Sequence, residues 1–439
     1  MRPWPRRAIR RRACALLVLG AIACVSVPAR RPARTTVVSN GDVVLAPRGT
    51  RARHASLRMV RIAIARSVTS ARLSADSEWA LHDASGALVF GPSAAGARWV
   101  VDAVSGQLDA RRESSASTGR RFATLTARTV GGGGTIEFNG RKWRGELTVS
   151  VDDRGGLLVV NRLPMDVYLR GVVPLEIGTR AMADIAAAEA QAVAARSYAY
   201  MHLAGPSRPY DMLATVSDQV YGGASAETPL GNQAVESTAG LVLMYGGRVV
   251  NAPYHGNCGG FTAEPGDAWR SGPEPYLSRV SDQIPGSDRF YCEAGPKFRW
   301  TRSYNGEELR ATIVRYLRAL PRGSEPSGHV RGVAVTEVTP AGRVATLTVD
   351  MDAGRWTMRG NEIRAALRAA SGELLYSTYF SLGVVDGSDG VQRIDLRGGG
   401  NGHGVGMCQS GAMGRARAGQ NFQTILSTYY PGTTIGTID

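Results

Sequence analysis

A single carboxylate, Glu176, stands in the apolar stretch Gly171-Val172-Val173-Pro174-Leu175-Glu176-Ile177, just ahead of a long Ala-rich run. An acid among apolar side chains loses solvation of its charged form, so its pKa rises toward neutrality and it keeps a proton at working pH. That is what the leaving oxygen of a glycosidic bond needs from a general acid. A carboxylate ahead of a helix also answers the positive end of the helix dipole, and the residues alone leave both roles open.

Other donors are scattered along the chain. His403 lies between Gly402 and Gly404, so the backbone can turn sharply and the imidazole can reach a groove, while Gln409 offers an amide for sugar hydroxyls. The competing reading is a tight turn in which His403 caps neighbouring backbone. Gln191 and Arg196 in the Ala-rich run divide the same way, between sugar contacts and internal partners, an ion pair in the case of Arg196. His255-x-x-Cys258 and Cys292 supply three ligands of the kinds that bind zinc, with a water or a carboxylate such as Glu293 completing the shell. A Cys258–Cys292 disulfide and a pair of buried free thiols are the alternatives. A metal here is structural, because acid chemistry at Glu176 requires no cofactor. Cys408 reads as a small packed residue.

These groups need a scaffold. Short apolar or alternating stretches at Met59 to Ala65, Leu88 to Phe90 and Trp99 to Val101 predict strands. The tetraglycine Gly131 to Gly134 joins strand-like Phe122 to Thr129 and Thr135 to Phe138 and is expected to connect a hairpin. A further strand pair at Arg144 to Val151 and Gly156 to Asn161 leads through Leu163 to Arg170 into a helical turn. From Asp184 to Leu203 the chain has neither Gly nor Pro, which predicts a helix capped by the Asp184 carboxylate. Helices follow at Gly306 to Leu320, Asn361 to Ala370 and Phe422 to Tyr430, the last stopped by Pro431-Gly432, with strands at Val330 to Thr339 and Arg343 to Asp350 between the first two. The fold expected is α+β around a mixed or antiparallel sheet core. Its Ala-rich helix carries the groove, and a smaller β-rich part occupies residues 57–160.

Length and composition agree, since 439 residues with 54 Gly and 21 Pro exclude a compact helical bundle. Residues 1–35 hold nine Arg and no acid, and an apolar run of 11 residues, Ala13 to Ala23, follows Arg10 to Arg12. This is the layout of a secretory signal; a membrane span needs about 20 residues. Residues 1–23 are read as the signal and 24–56 as an exported linker. Ala21-Ile22-Ala23-Cys24 suits lipidation of Cys24, against ordinary cleavage near Pro28 or Ala29. Cleavage before Cys24 takes the net charge from +15 to +9. No basic block is interleaved with aromatics, so the expected partners are wall polymer or membrane surface and not nucleic acid. The place is the periplasm or cell envelope, with a lipid anchor where Cys24 is modified.

Four ordered blocks carry a resemblance: Tyr168-Leu169-Arg170-Gly171-Val172-Val173-Pro174-Leu175-Glu176 with Ala190 to Tyr198; Gln219-Val220-Tyr221-Gly222-Gly223; Tyr254-His255-Gly256-Asn257-Cys258-Gly259-Gly260; and Gly402 to Ala412 with Tyr429-Tyr430-Pro431-Gly432-Thr433. Over residues 57–437 the chain resembles the stage II sporulation protein D / amidase enhancer (SpoIID/LytB) family. The resemblance implies a peptidoglycan lytic transglycosylase that cleaves between N-acetylmuramic acid and N-acetylglucosamine, in the sporulation branch on strands stripped of stem peptides. Its general acid and base falls on Glu176. It also implies that some members hold zinc near the His255 motif, and that other branches are non-catalytic peptidoglycan-binding modifiers of a cell-wall amidase. Leu175, Ile177 and Gly178 stand where the family often has Ser, Met and Pro. The Glu176 segment and the Gly402 to Ala412 loop are expected to meet at one groove.

Overall fold

The computed structural model describes residues 58–178, 181–269, 271–320 and 326–438. The expected signal, the linker and Cys24 lie outside them. Among the described residues no helix is long and apolar enough to cross a membrane. The architecture is α+β.

The β-rich N-terminal part is made of two sheets. The larger runs in the order Met212–Leu213, Met59–Val68, Leu157–Pro164, Glu146–Val151, Thr124–Thr129, Trp79–His82, Leu88–Ser93. It is mixed, because Met59–Val68 pairs in parallel with Met212–Leu213 and antiparallel with Leu157–Pro164. The smaller runs Gln107–Arg112, Trp99–Val104, Ser70–Ala75, Ile136–Phe138, Arg141–Trp143. Alternating side chains from both sheets, among them Val60, Ile62, Leu73, Trp79, Leu125, Ile136 and Val149, fill one core.

The tetraglycine is not a hairpin connection. Thr124–Thr129 pairs with Glu146–Val151 and Trp79–His82, whereas Ile136–Phe138 pairs with Ser70–Ala75 in the other sheet. The four glycines carry the chain across from one sheet to the other, and pattern cannot distinguish that from a turn.

The sheet hands the chain to two short helices, Met165–Arg170 and Val173–Ile177, and then to the Ala-rich helix Ile185–Met201. Ala187, Ala188, Ala190, Ala192, Ala194, Ala195 and Ala199 are all buried. A helix apolar on every side belongs inside a core, and small residues let neighbours approach closely. Helices Pro229–Ser237, Gln409–Arg417 and Phe422–Tyr429 pack around it. Asp184 does not cap it. Its backbone is already helical and its carboxylate accepts from Arg417 Nε at 2.7 Å and Nη2 at 3.2 Å, so a tertiary ion pair has taken the side chain from the backbone.

A second hydrophobic core gathers Trp300, Tyr304, Leu309, Ile313, Leu347, Val349, Ile363 and Leu396. It is built from two three-stranded sheets, Trp300–Asn305 with Gly390–Gly398 and Phe380–Gly387, and Val330–Val338 with Val344–Met351 and Gly354–Arg359. The helix Gly306–Arg318 starts on a reciprocal cap between Asn305 and Glu308. The helix expected over Asn361 to Ala370 is only Glu362–Ala366. This region meets the first core through backbone, Asn361 N donating to Ala268 O (3.2 Å) and Gly402 N to Tyr376 O (2.7 Å).

Candidate functional site

Two distant blocks meet as a parallel bridge in which Tyr254 faces Met407 and His255 faces Cys408. This pairing brings the segment after Gly402 alongside the segment after Tyr254, and it sets Gln409, at the start of its helix, over Glu176. Gly402 and Gly404 have φ of +105° and +87°. A Cβ at Gly402 would strike His255 and one at Gly404 would strike the Arg343 guanidinium, so only Gly fits either position.

Glu176 lies in the short helix Val173–Ile177, which Gly178 ends at φ +61°, a conformation closed to Pro. Val220 N–H donates to Glu176 Oε1 at 2.6 Å, and Gln409 Nε2 reaches Oε2 at 3.4 Å. The donor segment is itself anchored: Tyr168 OH donates to Gln219 Oε1 (3.0 Å), and Gln219 Nε2 donates to Tyr254 OH (3.0 Å) and Ala195 O (3.2 Å). Burial pushes the Glu176 carboxyl above its ordinary range, and the bonds from Val220 and Gln409 offset part of that rise. The carboxyl opens on a cleft of about 620 Å³ that is also lined by Asp218, His255, Trp269, Arg364, Asn401 and His403.

The other expected site residues are placed unequally. Gln409 touches Glu176 and also donates to Gln191 Oε1 at 3.3 Å. Gln191 is fully buried behind it, with its own Nε2 unpartnered, so it acts through Gln409 and does not face open groove. His403 lines the cleft with its ring against Trp269, centroids 4.8 Å apart, but both nitrogens are committed to backbone. Val405 N–H donates to Nδ1 (3.1 Å), and Nε2 contacts Tyr254 O (2.8 Å), which fixes the proton on Nε2. Burial holds its pKa down to about 3, so the ring is neutral and serves the turn.

Arg196 is not a groove residue. It is 1 % exposed, its Nε is 2.8 Å from Asp166 Oδ1, and Nη1 donates to Leu241 O. A guanidinium on the buried stretch of this helix has to find its partners inside the core.

The thiol group also differs from expectation. Cys258, Cys292, Cys408 and Asp282 place one ligand atom each within 4.8 Å of one another, all buried. His255 is not among them: its Nδ1 contacts Val405 O at 3.2 Å and its Nε2, unpartnered, belongs to the cleft. Glu293 is also elsewhere, bonded to Arg289 and the Phe290 N–H. Cys258 and Cys292 are free, with sulfurs 3.5 Å apart. Cys408 Sγ accepts from Cys258 N (3.2 Å) and Gly411 N (3.3 Å), so backbone donors hold its sulfur in place against the other two thiols. Asp282 Oδ1 accepts from Tyr429 OH (2.7 Å) and Arg415 Nε (3.1 Å), while Oδ2 faces Cys258 Sγ at 3.7 Å. Three sulfurs and one oriented carboxylate oxygen fit a closed tetrahedral metal site of the zinc type.

Sequence reasoning missed Asp218, Trp269, Arg364 and Asn401, which line the cleft from segments without motif character. It missed Asp282 for the same reason. Trp269, 43 % exposed on the cleft, offers an aromatic face of the kind that sugars pack on, and only the fold brings it to Glu176.

Residues 153–245 match the stage II sporulation protein family, and residues 285–406 match a domain of unknown function that spans most of the second core. The chain is 29 % identical over 300 residues to an uncharacterized protein of Brachyspira hyodysenteriae, covering 68 % of this chain and 73 % of that one. It is 28 % identical over 300 residues to the amidase enhancer of Bacillus subtilis, covering 61 % of this chain but only 40 % of that protein. With the stage II sporulation protein D of Bacillus subtilis the identity is 27 % over 296 residues, covering 64 % and 76 %. The family match and these relatives together support the stage II sporulation protein D / amidase enhancer (SpoIID/LytB) family for this chain.

Proposed function

We propose that this is an exported, cell-envelope lytic transglycosylase that cleaves peptidoglycan between N-acetylmuramic acid and N-acetylglucosamine, with Glu176 as the single acid and base. The observation that carries the reading is a desolvated carboxyl, fixed by Val220 and Gln409, opening on a cleft with a Trp face and side-chain amides. Glu176 holds the proton that the leaving oxygen takes. The resulting carboxylate accepts the proton of the muramoyl C6 hydroxyl as that oxygen closes on C1, giving a 1,6-anhydro end and consuming no water.

Asp218 is the other carboxylate on the cleft. Its oxygens accept from Tyr198 OH (3.3 Å) and Leu213 N (2.8 Å), which occupies it as a positioning group. The thiol cluster lies apart from this chemistry. Zinc held there by Cys258, Cys292, Cys408 and Asp282 would tie the Tyr254 block to the Gln409 helix and leave the proton transfers to Glu176.

The test is mass spectrometry of peptide-free and intact peptidoglycan after incubation with wild type and Glu176→Gln. New 1,6-anhydromuramoyl ends from wild type alone are expected. New reducing ends instead would make the reaction a hydrolysis with Asp218 as the base. Binding of both substrates with no new ends would leave the second reading, a modifier of a cell-wall amidase, which the amidase enhancer relative supports.

A further inference from the structure

One side of the cleft is basic, and it comes from the second core. Arg364 sits on the short helix Glu362–Ala366, whose Ile363 and Ala366 are buried in that core, and its side chain lines the cleft that Glu176 opens on. Its Nε donates to Leu375 O at 2.8 Å, which fixes the stem, and among the described residues no carboxylate pairs with it. Arg343 lies against Gly404, next to His403. It is 2 % exposed, its Nη1 has no hydrogen-bond partner, and no ion pair forms among the described residues. Burial, and then the nearby cation of Arg343, hold the Arg364 guanidinium below its ordinary range.

Other deeply placed arginines here are matched: Arg196 by Asp166 and Arg415 by Asp282. A desolvated guanidinium left without an ion-pair partner is destabilising, so Arg364 on the cleft wall, with the cation of Arg343 buried behind it, defines a place for an anion from outside the protein.

A glycan strand of alternating N-acetylglucosamine and N-acetylmuramic acid offers one kind of anion. The lactyl ether on O3 of the muramoyl ring ends in a carboxylate when no peptide is attached and in a neutral amide when one is. That group belongs to the same sugar whose C1 faces the acid. We infer that Arg364, carried by the second core and backed by Arg343, is the specificity residue that binds the free lactyl carboxylate of a peptide-free muramoyl unit in the Glu176 cleft. The inference rests on the glycan reading above but not on turnover. The second core is then the part of the molecule that senses whether the stem peptide has been removed.

The experiment measures co-sedimentation of the full protein, in a Glu176→Gln background to prevent turnover, with three purified strands. These are peptide-free glycan, peptide-free glycan whose lactyl carboxylates have been converted to methylamides, and peptide-bearing glycan. The parent is expected to bind the free carboxylate form roughly tenfold tighter than the methylamide, the scale of one charge-assisted hydrogen-bonded contact. Arg364→Gln should bind both forms alike, and Arg364→Lys should keep part of the preference because the charge remains. Unchanged melting of both variants shows that the loss is one of recognition.

Full charge discrimination in Arg364→Gln would overturn the assignment. So would a parent that prefers peptide-bearing strands through Arg364, since the carboxylate would then come from the stem peptide. A parent that binds no strand at all removes the glycan reading together with this one. Charge-dependent binding by a protein that makes no anhydro ends keeps Arg364 and removes only the enzyme.

Discussion

Two buried polar groups grow from the same pair of strands, and they are finished differently. Around Asp282 and the three cysteines the outer donors are spent: Arg415 and Tyr429 hold one carboxylate oxygen, and backbone N–H groups hold the Cys408 sulfur. Around Glu176 hydrogen-bonding capacity is left over on His255 Nε2, with an aromatic face exposed on the same cleft. Buried polar atoms in folded proteins are normally paired, so spare capacity facing a cleft marks where a ligand completes the bonding. A set satisfied from outside and open only toward its own centre marks a structural site.

The contrast breaks most sharply under paired substitutions. Glu176→Gln should lower the rate of anhydro-end formation by roughly 10²- to 10⁴-fold, the usual worth of a positioned acid, while the melting temperature moves little. Asp282→Ala should do the reverse. It leaves Arg415 buried and unpaired and takes one donor from the metal group, for a loss of about 3–5 kcal/mol in chemical denaturation. Elemental analysis of the purified wild type should find zinc, and chelation should lower its melting temperature toward that of Asp282→Ala. Zinc-free wild type with a Cys258–Cys292 disulfide on peptide mapping would return the cluster to the alternative reading.

The share of this that was legible in the sequence follows from range. Local signals were sufficient for the Ala-rich helix and for the strand pair leading to Leu163. The blocks around Glu176 and Gln409 could be named because their residues are contiguous. What failed was non-local. Asp282 sits in Ser281-Asp282-Gln283, which reads as surface loop, and joins the buried thiols where Arg415 and Tyr429 hold its carboxylate inside. His255 looked like the natural partner of Cys258, but bridge register sends its ring to the cleft and puts Cys408 beside the thiols. Asp184 had the spacing of a cap and lost that role to Arg417, 233 residues away. Arg364 and Trp269 depend on two cores meeting, which no periodicity encodes.

A smaller effect tests the aromatic wall. Trp269 is half-exposed and packs at a tilt against His403, whose nitrogens are already spent, so its free face is available to a sugar ring. Trp269→Ala should weaken binding of peptide-free glycan about threefold to tenfold, the range for one aromatic contact, with no change in the anhydro chemistry of what is bound. A change confined to turnover at saturating glycan would place Trp269 behind His403 as a support for the turn.

The subtlest expected effect concerns the proton itself. Burial raises the Glu176 carboxyl, so the folded protein binds this proton more tightly than the unfolded chain does. The stability it contributes is fully present below the unfolded pKa and is lost as pH rises through the folded one, where the charged carboxylate bears its desolvation. Gln at this position stays neutral throughout. The melting temperature of Glu176→Gln relative to wild type should therefore climb with pH across that interval and then level off. The opposite slope would mean that Val220 N–H and the Gln409 amide stabilise the carboxylate by more than burial opposes it. Glu176 would then be a poor proton donor near neutrality, and the groove would be a binding surface in spite of its unpaired groups.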